Sequence, residues 1–259
     1  MKNKIKFHSK SNSNNSVSMH SPQPSKNFIP DWYLSKDKYI TDGKNNKAIE
    51  FYKTKDGSTK LIRQRTYKTC PALLDSLSSG YILSTPCDIE IKQTDGLISV
   101  VLDDAFTTGV NGKKGEFCFV RGANEGFPTP KGYSLVHLVW NVNWFPELPD
   151  GYIALFAHPI NRFDLPFITI SGIIDCSGYI NGGQIPFFIK DDFEGIIEAG
   201  TPFIQIIPFK NEAWQHENIF YDEEETAIHR QEMDTKYRVV DLDHDTNYKQ
   251  KFWSKKIFK

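Results

Sequence analysis

Asp175 is the residue around which chemistry is most readily built. Glycines surround it at Gly172, Gly178, Gly182 and Gly183, and such spacing frees the backbone for a loop near a ligand or a tight corner between strands. Tyr179 follows it and Arg162 precedes it. In a binding site the three have distinct uses: Asp175 accepts a bond from a sugar hydroxyl, Tyr179 offers a stacking face, and Arg162 gives a charge-assisted bond to phosphate. They are expected to converge on one concave surface. The competing reading is that the glycines are only turns, and that Arg162 pairs with Asp164 or Asp150 at the surface, where an ion pair contributes little.

Other reactive constellations are weak. The seven histidines (His8, His20, His137, His158, His216, His229, His244) have no metal-ligand spacing. His137 lies in an apolar alternating run and reads as a core histidine. Cys70, Cys87, Cys118 and Cys176 are far apart and form no CxxC pair, which points to reduced thiols in a cytosolic compartment rather than a disulfide framework. No Ser-His-Asp order, Walker loop or dinucleotide fingerprint is present. No catalytic residue, metal ligand or cofactor is assigned. The acidic run Asp222–Glu225 reads as a solvated face.

The elements that must position these residues are strands. The chain has 259 residues, 39% hydrophobic and 14% aromatic, with 19 Phe against 3 Met, a composition that favours strands. Runs at Asp88–Lys92, Ser99–Leu102, Glu116–Arg121, Ser134–Val142, Tyr152–Phe156, Phe167–Ile170, Gln184–Ile189 and Phe203–Pro208 are separated by Gly, Pro, Asn or Asp. Short strands at that spacing predict a sandwich or barrel. Ile153, Leu155, Ile173, Phe187, Ile189, Ile204 and Ile206 are the expected inward positions. One short helix is predicted over 70–79, capped by Thr69, with Pro71 in its first turn, Leu73, Leu74 and Leu77 inward, and Gly80 ending it. A hairpin is predicted over Ala48–Tyr67 with its turn at Asp56-Gly57, and a stretch around Ala227–Val240 has helical character.

Charge divides the chain. Residues 1–69 carry 15 Lys/Arg and 5 Asp/Glu, although the whole has a net charge of −1. The basic part either solubilises the chain or docks on an acidic partner, a neighbouring subunit or nucleic acid. Composition assigns 1–27 to a disordered basic tail, 28–69 to a strap and hairpin, 70–210 to the β domain and 211–259 to a C-terminal arm. No run is long enough to span a bilayer and no secretory signal is visible, so the expected place is the cytoplasm, not a membrane or the exterior.

Residues 147–208 resemble the trimeric dUTPase and dCTP deaminase superfamily, a β-clip barrel. Glu147–Pro159 is similar to the strand that ends in that family at a catalytic Arg-Ser. Gly172-Ile173-Ile174-Asp175 with Tyr179 is similar to its Gly-Val-Ile-Asp…Tyr motif, and Ile197–Ile207, with Gly200 and Gln205, to its Lys-Gly-Asp-Arg-Ile-Ala-Gln-Leu motif. Pro86-Cys87-Asp88-Ile89 resembles the first motif. The resemblance covers about a third of the chain and extends to uncharacterised proteins of large tailed phages. It implies a dUTPase-like barrel with terminal extensions, a homotrimer, and a nucleotide-like ligand at Asp175, Tyr179, Arg162, Asn161, His158 and Gln205.

The sequence departs from the family where catalysis is done. Tyr179 falls one residue late, His158-Pro159 replaces the Arg-Ser pair with Asn161-Arg162 nearby, and the Gly-rich arm that closes over a triphosphate is missing. Gln184–Ile189 has no glutamate to serve as a deaminase base. The expectation is a non-catalytic, viral, nucleotide-binding protein. The alternatives are a viral structural or assembly accessory that uses the barrel as an oligomer scaffold, and a diverged nucleotide hydrolase.

Overall fold

Short apolar runs broken by turn residues become antiparallel strands, sixteen of them among the described residues. The computed structural model describes residues 3–9, 20–39, 49–53, 59–63, 66–94, 97–102, 117–121, 126–178, 183–237 and 252–259. They divide into a unit of Met1–Phe28, Leu77–Glu212 and Phe258–Lys259, and a second of Ile29–Ser76 and Ala213–Ile257.

The first unit holds most of the strands. A five-stranded sheet runs in the order β13 (Gly172–Ile174), β11 (Tyr152–Ala157), β16 (Pro202–Lys210), β5 (Tyr81–Ser84) and β2 (Gln23–Pro24). A four-stranded sheet runs β12 (Phe167–Thr169), β14 (Gln184–Ile189), β9 (His137–Asn141) and β8 (Cys118–Arg121). A third sheet is β15 (Gly195–Ile197), β6 (Ile89–Thr94) and β7 (Leu97–Leu102), and β1 (Lys6–Ser9) pairs with β10 (Trp144–Glu147). The class is mostly β, as expected. No sheet among the described residues closes on itself, so the expected barrel is a set of separate antiparallel sheets. One break is visible where β16 slips register against β5 between Pro202 and Ile204, the kind of irregularity that bends a strand out of one ladder.

An aromatic cluster joins the sheets. Trp140 stacks on Phe187 with ring centroids 3.7 Å apart and planes 6° from parallel, and Phe167, Phe203 and Phe117 pack around it. The indole N–H donates to Thr169 Oγ1 at 3.1 Å, and that hydroxyl donates to the Phe203 carbonyl at 2.8 Å. This relay satisfies two polar groups that burial would otherwise penalise.

Of the expected inward positions, Phe187, Ile189, Ile204 and Ile206 are buried. β11 is one residue out of the expected phase. Ala154 and Phe156 face the core, while Ile153 and Leu155 are half-buried and Ile173 is 65% exposed. The register puts Leu155 opposite both Ile173 and Ile207, so these residues share the outer face. Both alternating sets on β11 are apolar, and hydrophobicity alone could not choose between them.

Two parts of the predicted disordered tail have fixed places. Residues 10–19 lie outside the described residues, but Lys6–Ser9 pair with β10 and Gln23–Pro24 with β5. Lys6 Nζ contacts Glu147 Oε1, and His8 Nε2 lies 2.7 Å from Glu147 Oε2. These two contacts hold the Glu147 carboxyl below the usual carboxylate range. Ile5 and Phe7 pack against the core, a tertiary gain that composition does not register.

The described residues hold three α-helices: α1 (Asp31–Leu34), which was not foreseen, α2 (Pro71–Ser78), which is the predicted short helix, and α3 (Glu223–Tyr237), which falls on the stretch of helical character around Ala227–Val240. Thr69 sits in a 3-10 turn before α2, its hydroxyl donating back to the Thr66 carbonyl at 2.9 Å, so it is not the expected cap. Of the three expected inward leucines only Leu77 is buried; Leu73 and Leu74 are half-buried. Gly80 ends the segment with φ 74°, and a Cβ there would lie 2.0 Å from the Ile206 carbonyl oxygen. Only glycine permits this approach. In the second unit β3 (Ile49–Lys53) and β4 (Thr59–Arg63) form the predicted hairpin, with Asp56-Gly57 outside the described residues. Trp32, Tyr33 and Tyr67 cluster edge to face or tilted, and Lys68 Nζ donates to the carbonyls of Tyr33 and Leu34, both at 2.8 Å.

In urea denaturation, Phe187→Ala is expected to cost about 3–5 kcal/mol, while Ile173→Ser stays within about 0.5 kcal/mol. Gly80→Ala is expected to cost at least about 2 kcal/mol through strain against β16; an unchanged midpoint would show that β16 can yield.

Candidate functional site

The turn after β11 gathers four of the expected ligand residues. His158 Nδ1 accepts the Thr169 amide at 3.3 Å, which leaves Nε2 to carry the proton and donate to the Arg162 carbonyl at 3.2 Å. Burial lowers the His158 pKa below the ordinary histidine value, so the ring is held neutral. Gln205, buried on β16, accepts the Ile160 amide at 2.9 Å through Oε1 and donates through Nε2 to the Ser79 carbonyl at 2.7 Å. Asn161 takes a left-handed conformation, φ 61°, which asparagine tolerates better than most residues.

Arg162 is already engaged. Its Nε and Nη2 donate to the Asp164 carboxylate at 2.7–3.1 Å, and Nη1 reaches the Phe28 carbonyl at 3.3 Å. Burial would raise the Asp164 pKa, but the guanidinium outweighs it and leaves the carboxyl below the usual range. The surface-pairing reading of Arg162 therefore describes the single chain, with the difference that the guanidinium is mostly covered, at 14% exposure.

Asp175 stands elsewhere. Its Oδ1 accepts the Ser177 hydroxyl at 2.7 Å and the Ser177 amide at 2.9 Å, and these two bonds lower its pKa. The carboxylate is ionised and faces solvent. Ile174 pairs with Ala154 and Gly172 with Phe156, so Asp175 lies level with Ile153 while His158 follows the other end of β11. That is roughly 17 Å of extended chain. Within one chain, Asp175 and Arg162 do not converge. Tyr179 and Gly182 lie outside the described residues.

Behind Asp175 is a cavity of about 60 Å³ lined by Val142, Phe145, Phe156, Ile174, Cys176 and Ile185, with Pro146 and Gly183. Apart from the Cys176 thiol its side-chain walls are apolar. Burial and the neighbouring Asp175 charge push that thiol up to about 11, so it is a protonated packing group. Sequence reading missed this cavity because its walls come from separate strands and turns. It also missed the buried Thr85, whose hydroxyl donates to the Glu198 carbonyl at 2.7 Å, whereas Asp88, singled out in the Pro86-Cys87-Asp88-Ile89 motif, stands just before β6 and accepts the Ala199 amide at 2.7 Å. Both fix a corner of the backbone.

No family model and no curated protein matches the chain. The chain is similar in structure to a phage dUTPase. A mutant dUTPase from phage phi11 of S. aureus, described with a structural Mg(II) ion, matches at 14% identity and TM-score 0.24, over 41% of this chain and 98% of that one. A second structure of the phi11 dUTPase, described for its species-specific insert, matches at 14% identity and TM-score 0.23, over 41% and 97%. Scores this low fix no residue-by-residue correspondence.

His158 gives the site a pH dependence whose sign follows from its lowered pKa. The unfolded chain takes up a proton below about pH 6.5 that the folded ring resists. Stability is therefore full above that pH and falls as the pH drops toward the folded pKa. Denaturation midpoints at pH 7.5 and 5.5 should differ in the wild type, and His158→Asn should flatten that difference.

Proposed function

We propose that the chain is a non-catalytic, dUTPase-like protein that binds a nucleotide-like ligand in an oligomer. The observation that supports this most directly is the exposed, ionised Asp175 beside an apolar cavity. An apolar recess takes the face of a base, and a fixed carboxylate accepts a ribose or deoxyribose hydroxyl. A phosphate needs a cation or a row of amides. Arg162 lies at the far end of β11 from Asp175, so on this reading phosphate is met by the His158-to-Arg162 turn of a neighbouring copy. There Arg162 exchanges part of its pairing with Asp164 for the phosphate, with Asn161 beside it and His158 holding the turn in place. The homotrimer implied by the sequence resemblance supplies such a neighbour. The lost Arg-Ser pair and Gly-rich arm support binding without turnover, and the same resemblance supports a viral protein acting in the host cytoplasm. Among the described residues no helix is long and apolar enough to cross a membrane.

A second reading, a viral assembly accessory, is favoured by the exposed aromatic segment after β16, where Trp214 and Phe220 are 86% and 88% exposed.

Calorimetry with dUTP, dCTP and a cyclic dinucleotide separates the two. The nucleotide reading expects weak binding of at least one, reduced roughly tenfold by Asp175→Asn and by Arg162→Ala, with no hydrolysis in the presence of magnesium. Heat from none of the three would favour the accessory reading. Turnover abolished by Asp175→Asn would establish an enzyme.

A further inference from the structure

We propose that the acidic, aromatic segment 211–225 adds to the basic hairpin β3–β4 of a second copy of this chain. Every residue from 211 to 225 is exposed. The segment contains six Asp/Glu and no Lys or Arg, and it presents Trp214, Ile219, Phe220 and Tyr221 to solvent. So much exposed aromatic surface in one stretch marks an interaction site. Its far end is rigid: Asp222 and Glu225 form a reciprocal cap on α3, with the Glu225 amide to Asp222 Oδ1 at 2.8 Å and the Asp222 amide to Glu225 Oε2 at 3.1 Å.

The hairpin supplies the complement. β3 and β4 pair only with each other among the described residues, leaving an open edge on each side. A two-stranded sheet alone is marginal in water. Residues 48–68 carry six Lys/Arg against two Asp/Glu, and lysines on an edge repel a second edge of the same charge. An acidic strand is the partner those charges admit, by strand addition with charge complementarity. Each copy gives one segment and receives one, so two copies can exchange segments reciprocally and more copies can join head to tail. The assembly stands apart from the nucleotide reading and holds whether or not a nucleotide binds.

Sedimentation equilibrium of the full chain tests it, with three variants. Glu217→Lys with Glu224→Lys makes the segment less acidic and spares the Asp222–Glu225 cap. Lys53→Glu with Lys60→Glu cancels the hairpin's net charge, leaving four Lys/Arg against four Asp/Glu over residues 48–68, and the third variant combines all four changes. The wild type should associate, and association should weaken roughly tenfold between low salt and 0.5 M salt. Each pair alone should weaken it by about the same factor, and the fourfold variant should weaken it at least as far, since a less acidic segment then meets a hairpin of no net charge. Mixing the two paired variants should give a complex in which both are present. A monomeric wild type, or association that either paired variant leaves unchanged, overturns the proposal. Absence of a mixed complex also overturns it, because the unaltered segment of one variant then fails to meet the unaltered hairpin of the other.

Discussion

The stack of Trp140 on Phe187 is the contact on which the first unit depends. The two rings belong to neighbouring strands of the four-stranded sheet, and Phe203 brings in β16 of the five-stranded sheet. A large indole in an apolar core brings an N–H that must be satisfied. Thr169 meets it and passes the bond on to the Phe203 carbonyl. Packing thus joins β9, β14 and β16, and the hydrogen-bond relay ties β12 to β9 and β16. A core held this way tolerates loss of volume poorly, and the outer strands can vary around it.

The candidate site follows from which charges the fold has already used. Arg162 is consumed by Asp164 and the Phe28 carbonyl, His158 by the amide of Thr169, and Gln205 by two backbone groups. These residues shape the turn after β11. Among the described residues Asp175 is bound on its own loop, by Ser177, and the residue is exposed to water. The proposed reading therefore rests on that carboxylate and the apolar recess next to Ile174 and Cys176.

Legibility followed the contrast between a strand's two faces. Gln184–Ile189 was readable as a strand with Phe187 and Ile189 inward, both buried, because Gln184 and Pro186 mark the other face, although Phe188 on that face is buried as well. β11 was readable as a strand but not in phase, since Ile153 and Leu155 are as apolar as Ala154 and Phe156. β1 was not readable at all. Its lysine and histidine resemble a solvated tail, and pairing with β10 and the Glu147 carboxylate gives it a place. The site was half legible. The loop glycines marked Asp175, but nothing in the spacing Arg162-Phe163-Asp164 tells a surface pair from a phosphate ligand. The cavity behind Cys176 depends on residues more than forty positions apart and has no local signature.

Tyr81 carries a consequence for how the chain is made. Its ring meets Phe7 at 5.3 Å and Phe258 at 5.8 Å, and its hydroxyl donates to the Lys259 carbonyl at 3.2 Å. Contacts of such long sequence separation cost the most loop entropy to close. During synthesis Phe7 finds Tyr81 early, while the other half of the cluster waits until residue 258 has left the ribosome. The ring therefore ties two segments far apart in sequence to one strand end, and a chain without Phe258 keeps an uncovered tyrosine edge at that corner.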